Sequence, residues 1–208
     1  MDGEGLSTAT VRRMRHRSRV LHKRVGLSEI RFDSIETPVG LVYVALSERG
    51  VCDVTFGETD ENRYRDRLWA ARVRRDSKAA SPVLRELDAY FAGRLTRFSV
   101  PVDLRRVTPF TRKVLEAAKR VAFGQLTSYG DIAKQIGLPN ASRAVGGALG
   151  RNPVPVIVPC HRVIARGCQL GGFTGGLDTK RVLLRLEGCS VDACSGRVVV
   201  APMETVDN

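Results

Sequence analysis

The sequence has few of the residues that build metal centres and disulfide frameworks. It contains three histidines, two of them within the first 25 residues, and its five cysteines form no C-x-x-C pair. A structural zinc site needs several such ligands at close spacing, so the sequence excludes a zinc finger. Five cysteines in 208 residues are also too few for a disulfide scaffold. We therefore expect a protein without a metal or another cofactor, in a reducing intracellular compartment.

Long apolar runs are missing as well. No stretch approaches the roughly 18 apolar residues that a membrane-spanning helix needs. The first residues contain no apolar segment of the kind found in secretion signals. We expect a soluble protein without a membrane partner, located in the cytoplasm or on the nucleoid, or in the nucleus if the source is eukaryotic.

Positive charge is abundant and unevenly distributed. The net charge is +12, of which residues 1–25 carry +5 and residues 107–195 carry +7, whereas residues 26–106 carry only +1. A basic half beside a balanced half predicts two units, the second of which binds a polyanion such as nucleic acid. A solvated basic face is the alternative. The arginine-rich start is typical of a mobile basic tail, which we favour over an organelle transit peptide.

Hydrophobic periodicity and turn residues suggest how the chain is organised. Three β-type runs separated by Gly and Pro predict a small antiparallel sheet over residues 30–35, 41–46 and 51–56. Helical patterns follow over residues 60–75 and 82–94. The predicted division is a basic tail (1–25), an N-terminal α+β domain (26–104), a C-terminal domain (105–195) and a C-terminal tail (196–208).

Two short helices in the basic half are predicted to form a helix-turn-helix. Ser128 and Asp131 resemble a capping box that opens the first helix, which ends at Gly137. Asn140 is the predicted N-cap of the second helix, over residues 141–149. A tight turn between two short helices is typical of DNA-binding proteins, although helical hairpins inside a core share this pattern.

The second of these helices contains Gly146 and Gly147 in its interior. Each costs a helix about 1 kcal/mol relative to alanine, so a structural or functional reason is expected. One reading is tight packing on a neighbouring helix. The other is close approach of the backbone to DNA, with Arg143 as the projecting side chain.

The reactive candidate is the pair Cys160-His161 within residues 159–163, PCHRV. Adjacent side chains on an extended segment point to opposite faces, so a direct hydrogen bond between Cys160 and His161 needs a turn in the backbone. Alternatively, the histidine acts as a base on the thiol through an intervening water molecule. Cys160 is a candidate nucleophile, and a buried structural cysteine is the alternative. Its thiolate would be favoured by the positive charge of Arg151, Arg162 and Arg166.

This motif resembles that of the O6-alkylguanine-DNA alkyltransferases. The resemblance covers about residues 108–188 and includes, in the family's order, the segments 123–130 (FGQLTSYG), 142–148 (SRAVGGA), 152–155 (NPVP), 175–177 (GGL) and 180–188. It implies an α+β protein with an RNase H-like N-terminal domain built on a small antiparallel sheet with helices. The implied C-terminal domain is helical, with a winged helix-turn-helix.

The resemblance also implies a function. It is repair of DNA by direct, irreversible, single-turnover transfer of an alkyl group from O6-alkylguanine, and from O4-alkylthymine, to Cys160 after the base is flipped out. His161 would deprotonate the thiol through water, and Glu187 would orient this histidine. Tyr129 would donate a hydrogen bond to the base, and Asn152 would tie the recognition helix to the active-site loop.

The resemblance further implies a partner and two sets of contact residues. The partner is double-stranded DNA carrying alkylated bases, bound through the minor groove by a monomer with little regard to sequence, and cooperativity is left open. The implied DNA-binding residues are Ser142, Arg143, Ala144, Gly146, Gly147 and Arg151. The implied pocket residues are Val163, Phe173, Thr174 and Gly175, the last of which leaves room for alkyl groups larger than methyl.

Two other functions fit parts of the sequence. A non-catalytic protein that flags alkylated bases would resemble the family, but such proteins replace the acceptor cysteine. A helix-turn-helix transcription factor would bind undamaged DNA and would not need Cys160. The thiol of Cys168 is either a second reactive group or an inert loop cysteine.

Overall fold

The computed structural model of the protein describes residues 29–192 and 197–200. The predicted basic tail, residues 1–25, lies outside this part of the chain. Within it, every helix is too short or too polar to cross a membrane.

The N-terminal half is built on one sheet with a helix against it. Its strands are β1 (Glu29–Thr37), β2 (Gly40–Ser47), β3 (Gly50–Phe56) and β4 (Arg72–Arg75), in the order β3-β2-β1-β4. The three predicted strands pair antiparallel as expected, whereas β4 runs parallel to β1. The sheet is therefore mixed.

The prediction of one helix over residues 60–75 is wrong. Only α1 (Glu61–Arg67) is helical; Asp60 caps it, and the chain turns extended at Leu68. Residues 72–75 instead pair in parallel with β1, where Val73 packs against a buried cluster and Arg74 and Arg75 form ion pairs with carboxylates of β1. These tertiary contacts are invisible to a periodicity argument.

The second helix of this half, α2 (Ser77–Phe91), begins earlier than predicted. The carboxylate of Asp76 accepts a hydrogen bond from the backbone of Ala79 and caps the helix, and Pro82, at the predicted start, lies inside it. The helix packs on β1 and β2. Its C-terminal turn buries Tyr90 completely against the other half of the molecule.

The C-terminal half is mainly helical. Its helices are α3 (Pro109–Lys119), α4 (Tyr129–Gln135), α5 (Ser142–Leu149) and α6 (Leu177–Leu186). The hydroxyl of Ser128 caps α4 as predicted. The prediction of Asn140 as the cap of α5 is wrong: the N-cap is Ala141, whose N–H closes a turn onto Leu138, and no side chain caps this helix. Helices α4 and α5 pack together as the two arms of the helix-turn-helix.

Four short strands complete this half. Strands β5 (Thr127–Ser128) and β6 (Val163–Ile164) pair in parallel, and β7 (Cys189–Val191) and β8 (Val198–Val200) form an antiparallel pair. The predicted boundary between residues 195 and 196 divides this last pair, so β8 belongs with the C-terminal half and not with a tail. The remaining domain boundaries stay predictions.

The two halves share one hydrophobic core. A single cluster of buried residues includes Val42 and Val54 of the sheet, Leu87 of α2, and Val114 and Val158 of the C-terminal half. The backbone N–H of Val54 also donates to the carbonyl of Pro153, 2.7 Å away. The sheet therefore supports the loop that leads to Cys160.

Candidate active site

Cys160 begins a single 3-10 turn, Cys160–Arg162, between the loop after α5 and strand β6. Cys160 is 4% exposed and lines a cleft of about 1630 Å³. Helices α4 and α5 and the loop over residues 164–174 form the walls of this cleft. The turn supplies the change in backbone direction that neighbouring Cys and His side chains need to serve one site.

Asn152 connects the end of α5 to this turn. Its side-chain amide donates to Sγ of Cys160 at 3.1 Å and to the carbonyl of Val158 at 2.9 Å. Its carbonyl oxygen accepts from the N–H of Val154 at 3.1 Å. Asn152 is 2% exposed, so these bonds are shielded from water and hold the loop in one conformation.

The thiol of Cys160 is protonated at neutral pH. Burial raises its pKa to about 11, although the hydrogen bond from Asn152 and the charge of Lys180 act in the opposite direction. The prediction that three arginines favour the thiolate is wrong. Arg162 turns away to bind Glu187, and Arg151 and Arg166 are exposed to solvent. A base is therefore required to activate this nucleophile.

The candidate base is His161, which is completely buried beside Glu187. The distance from Nε2 of His161 to Oε1 of Glu187 is 2.8 Å. The same carboxylate accepts from the hydroxyl of Tyr90 at 2.7 Å and from two nitrogens of Arg162 at 2.8 and 2.9 Å. Burial alone would raise the pKa of Glu187, but the bonds from His161 and Arg162 lower it to about 2. Glu187 is therefore a carboxylate.

A charged Glu187 determines the tautomer of His161. The carboxylate can only accept at Oε1, so Nε2 carries the proton and donates it. Burial lowers the pKa of the imidazole, which is therefore neutral at neutral pH. Nδ1 then carries the lone pair, and this buried atom has no hydrogen-bond partner among the described residues. The arrangement leaves one basic nitrogen ready to accept a proton.

Tyr129 begins helix α4 and lines the cleft together with Cys160. Its ring is half-buried, and its hydroxyl lies close to the backbone of Gly171. A Cβ atom at Gly171 would be 2.6 Å from this hydroxyl, and the φ angle there is +65°. Only glycine fits this position without displacing Tyr129.

The predicted DNA-binding residues lie on one side of α5 and just beyond it. Arg143, Ala144 and Gly147 are exposed, and Arg143 lines the cleft with Ser142 and Gly146. Arg151 lines a separate cavity on another side of the loop. It does not line the cleft that contains Cys160, although its guanidinium lies near Gly147 of α5.

The glycines of α5 are not required by packing within the protein. A Cβ atom at Gly146 would meet only the ring of Tyr129, at 3.9 Å, and one at Gly147 only the mobile end of Arg151, at 3.5 Å. Both are ordinary contacts, which argues against tight helix packing as the reason. The observation is consistent with close approach of a ligand from outside.

Of the four predicted pocket residues, Phe173 and Thr174 line the cleft and Val163 and Gly175 do not. A Cβ atom at Gly175 would lie 2.9 Å from the ring of Phe173 and 3.1 Å from that of Phe56. The small size of Gly175 therefore lets Phe56 and Phe173 pack together, and Phe173 in turn lines the cleft. That Gly175 leaves room for alkyl groups larger than methyl stays a prediction. The side chain of Val163 is fully buried, and its carbonyl accepts a hydrogen bond from the ammonium of Lys180.

The family model for the ribonuclease-like domain of 6-O-methylguanine DNA methyltransferase matches residues 30–104, and that for its DNA binding domain matches residues 109–189. The chain belongs to this family. The methylated-DNA--protein-cysteine methyltransferase of Mycolicibacterium paratuberculosis is 39% identical over 163 residues, covering 76% of this chain and 92% of that protein. The corresponding protein of Methanosarcina acetivorans is 41% identical and covers 74% and 95%.

Solved structures agree with this assignment. The crystal structure of Mycobacterium tuberculosis OGT in complex with DNA matches with a TM-score of 0.66 and 40% identity, covering 76% of this chain and 92% of that one. The predicted fold class is confirmed: the protein is α+β, with a ribonuclease-like N-terminal domain and a helical DNA-binding domain.

Several residues of this methyltransferase site escaped the sequence analysis. Tyr90 reads only as part of the apolar face of a helix, yet its hydroxyl reaches Glu187 from the other domain. Lys180 is fully buried, and its ammonium donates to the carbonyls of Val163, Leu170 and Gly172. Burial lowers the pKa of Lys180 to about 8. The position of Lys180 on the buried face of α6 is the only feature of the sequence that could have pointed to its role.

We predict that Glu187→Gln destabilises the methyltransferase by about 3–5 kcal/mol, because it leaves the buried guanidinium of Arg162 without a counter-charge. Glu116→Gln is the matched control: this acid is exposed on α3, and its loss should change stability by less than about 0.5 kcal/mol. Urea denaturation measures both. Equal stability of the two variants would contradict the assignment of Glu187 as the central counter-ion.

The contribution of Glu187 to the stability of the folded protein should depend on pH. The pKa of Glu187 falls from 4.5 to about 2 on folding, so its contribution is complete above pH 4.5 and is lost as the pH drops toward 2. The stability difference between the native protein and Glu187→Gln should therefore shrink over this range. A difference that stays constant would contradict the pairing.

Gly147→Ala should separate stability from DNA binding. Alanine improves helix propensity by up to about 1 kcal/mol and meets no obstacle in the free protein, so the melting temperature should rise. DNA affinity should fall, because the added methyl group occupies the surface that the ligand approaches. Thermal melting and a fluorescence-anisotropy titration test the two effects. Unchanged affinity would exclude a close approach at Gly147.

Proposed function

We propose that this protein repairs DNA by moving the alkyl group of an O6-alkylguanine onto Sγ of its own Cys160, once per molecule. The observation that carries the proposal is a Glu187–His161 pair that leaves Nδ1 of His161 buried and without a partner among the described residues, next in sequence to Cys160, which lies at a cleft flanked by a helix-turn-helix. Membership of the methyltransferase family supports it. The catalytic roles of Cys160, His161, Glu187, Tyr129 and Asn152 are part of the proposal.

The reaction begins with a proton transfer. Nδ1 of His161 takes the proton of the Cys160 thiol through a water molecule, and Glu187 stabilises the resulting imidazolium. Sγ then attacks the alkyl carbon, the bond from this carbon to O6 breaks, and the electron pair remains on the guanine. The hydroxyl of Tyr129 donates a hydrogen bond to the base as this charge develops. The product is a thioether, which is not reversed, so the protein acts stoichiometrically.

The depth of Cys160 requires the damaged base to leave the helix. The side chain of a cysteine that is only 4% exposed cannot reach a base inside a stacked duplex. We propose that the nucleotide is flipped into the cleft and that Arg143, exposed at the start of α5, takes its place in the stack. Unstacking costs a few kcal/mol, which the inserted side chain partly offsets. O4-alkylthymine is proposed as a second substrate.

The proposed binding mode is through the minor groove, with little dependence on sequence. The excess of basic residues between 107 and 195 favours contacts to phosphates, which carry no sequence information. We propose that the protein binds as a monomer, and whether neighbouring copies bind cooperatively is left to measurement. The proposed location is wherever the cell keeps its DNA: the cytoplasm and nucleoid, or a nucleus.

The mass of the intact protein tests the proposed function. After incubation with a duplex containing O6-methylguanine, the protein should gain one methyl group, located on Cys160 by peptide mapping. Cys168→Ala is the matched control, since Cys168 is exposed at the same cleft; it should react like the native protein, while Cys160→Ala should not react. Absence of the gain in folded, reduced protein would favour a protein that binds lesions without chemistry.

The rate of transfer should depend on pH through His161. Only the neutral imidazole accepts a proton, and its pKa is lowered by burial, so the single-turnover rate should be flat near neutrality and fall on acidification with a midpoint below 6.5. A rate that rises tenfold for each pH unit up to about 11 would instead indicate free ionisation of Cys160.

A further inference from the structure

The β7–β8 hairpin extends the DNA-binding domain beyond the segment that the family model covers. That segment ends at residue 189, within β7, while β8 lies at residues 198–200. The hairpin is attached to the loop that leads from β6 back to the cleft, because Gln169 forms a β-bridge with Arg197. The N–H of Ala165 donates to the carbonyl of Gln169 and closes this loop.

The inner side of the hairpin is part of a separate small core. Val198 is 3% exposed and packs in one cluster with Cys189 of β7. The same cluster contains Ile164 and Leu170, which are the two ends of the loop, and Leu184 of α6. The loop is therefore held between the hairpin on one side and the ammonium of Lys180, which binds the carbonyl of Leu170, on the other.

The outer side of the hairpin faces the cleft. Side chains alternate along a strand, so Val199 points away from the core that Val198 enters. Val199 is 52% exposed and lines the same cleft as Cys160. The lining of this cleft also includes the exposed side chains of Arg166, Arg143 and Lys134.

The exposed apolar side chain and the charges around it indicate what kind of ligand the hairpin contacts. The exposed side chain is apolar, but the cleft lining carries three cations, Lys134, Arg143 and Arg166, against one carboxylate, Asp131, which pairs with Lys134. A DNA duplex presents this combination, since its phosphates meet the cations and its deoxyribose rings offer apolar surface. An apolar protein partner would not explain the surrounding positive charge.

We propose that β7–β8 is a wall of the DNA-binding cleft: Val199 contacts the sugar-phosphate backbone beside the flipped nucleotide, and Val198 holds the loop over residues 165–172 in position. This inference rests on the proposed function, because it uses the same cleft and the same ligand. It adds a contact region outside the helix-turn-helix. The chemistry at Cys160 does not depend on it.

The experiment compares Val199→Glu with Leu177→Glu in the full-length protein. Both changes place a carboxylate at an exposed apolar position, but Leu177 does not line the cleft. We expect Val199→Glu to weaken binding to a duplex containing O6-methylguanine at least fivefold and to slow transfer from it. Leu177→Glu should change either value less than twofold. Reaction with the free base O6-methylguanine should be the same for both variants and the native protein.

The possible results distinguish a failure of the hairpin inference from a failure of the proposed function. If the native protein transfers the methyl group and Val199→Glu binds the duplex as the native protein does, the inference about the hairpin is wrong and the proposed function stands. Equal weakening by both variants would also overturn it, because the effect would then be one of net charge. If the native protein transfers no methyl group at all, it is the proposed function that fails. Val199→Lys should bind at least as tightly as the native protein, and a loss of affinity there would contradict a phosphate neighbour.

Discussion

The buried carboxylate of Glu187 is the interaction on which the rest of the site depends. It receives hydrogen bonds from His161 and Arg162 of the active-site turn, from Tyr90 of the N-terminal half and from the backbone of Gly124. An unpaired charge at this depth would be strongly destabilising, so these donors are held together as a unit. One residue thus links the domains, orients the imidazole and selects its tautomer.

Different features of the site protect the thiol of Cys160 and activate it. Burial keeps the pKa of Cys160 high, so the thiol does not react indiscriminately with electrophiles in solution. The neutral imidazole of the next residue, His161, keeps Nδ1 unpartnered among the described residues, and we propose that this nitrogen takes the proton of the thiol. This arrangement suits a protein in which each molecule has a single chance to react.

Much of this account could be predicted from the sequence, because the decisive residues are local. Local sequence is enough to interpret the PCHRV segment, the capping Ser128 and the paired glycines of α5. Other features depend on contacts between distant segments. Strand β4 forms only where β1 is there to pair with it, Tyr90 meets Glu187 across 97 positions, and Gly175 makes room for a ring of the other domain. Neither periodicity nor a motif contains that information.

The most direct test of the central claim is the protonation state of the two ring nitrogens of His161, read from nitrogen-15 chemical shifts in the unreacted protein at neutral pH. The account predicts a protonated Nε2, bonded to Glu187, and an unprotonated Nδ1. A proton on Nδ1, or a doubly protonated ring, would contradict it, because no nitrogen would then be available to accept the proton of Cys160.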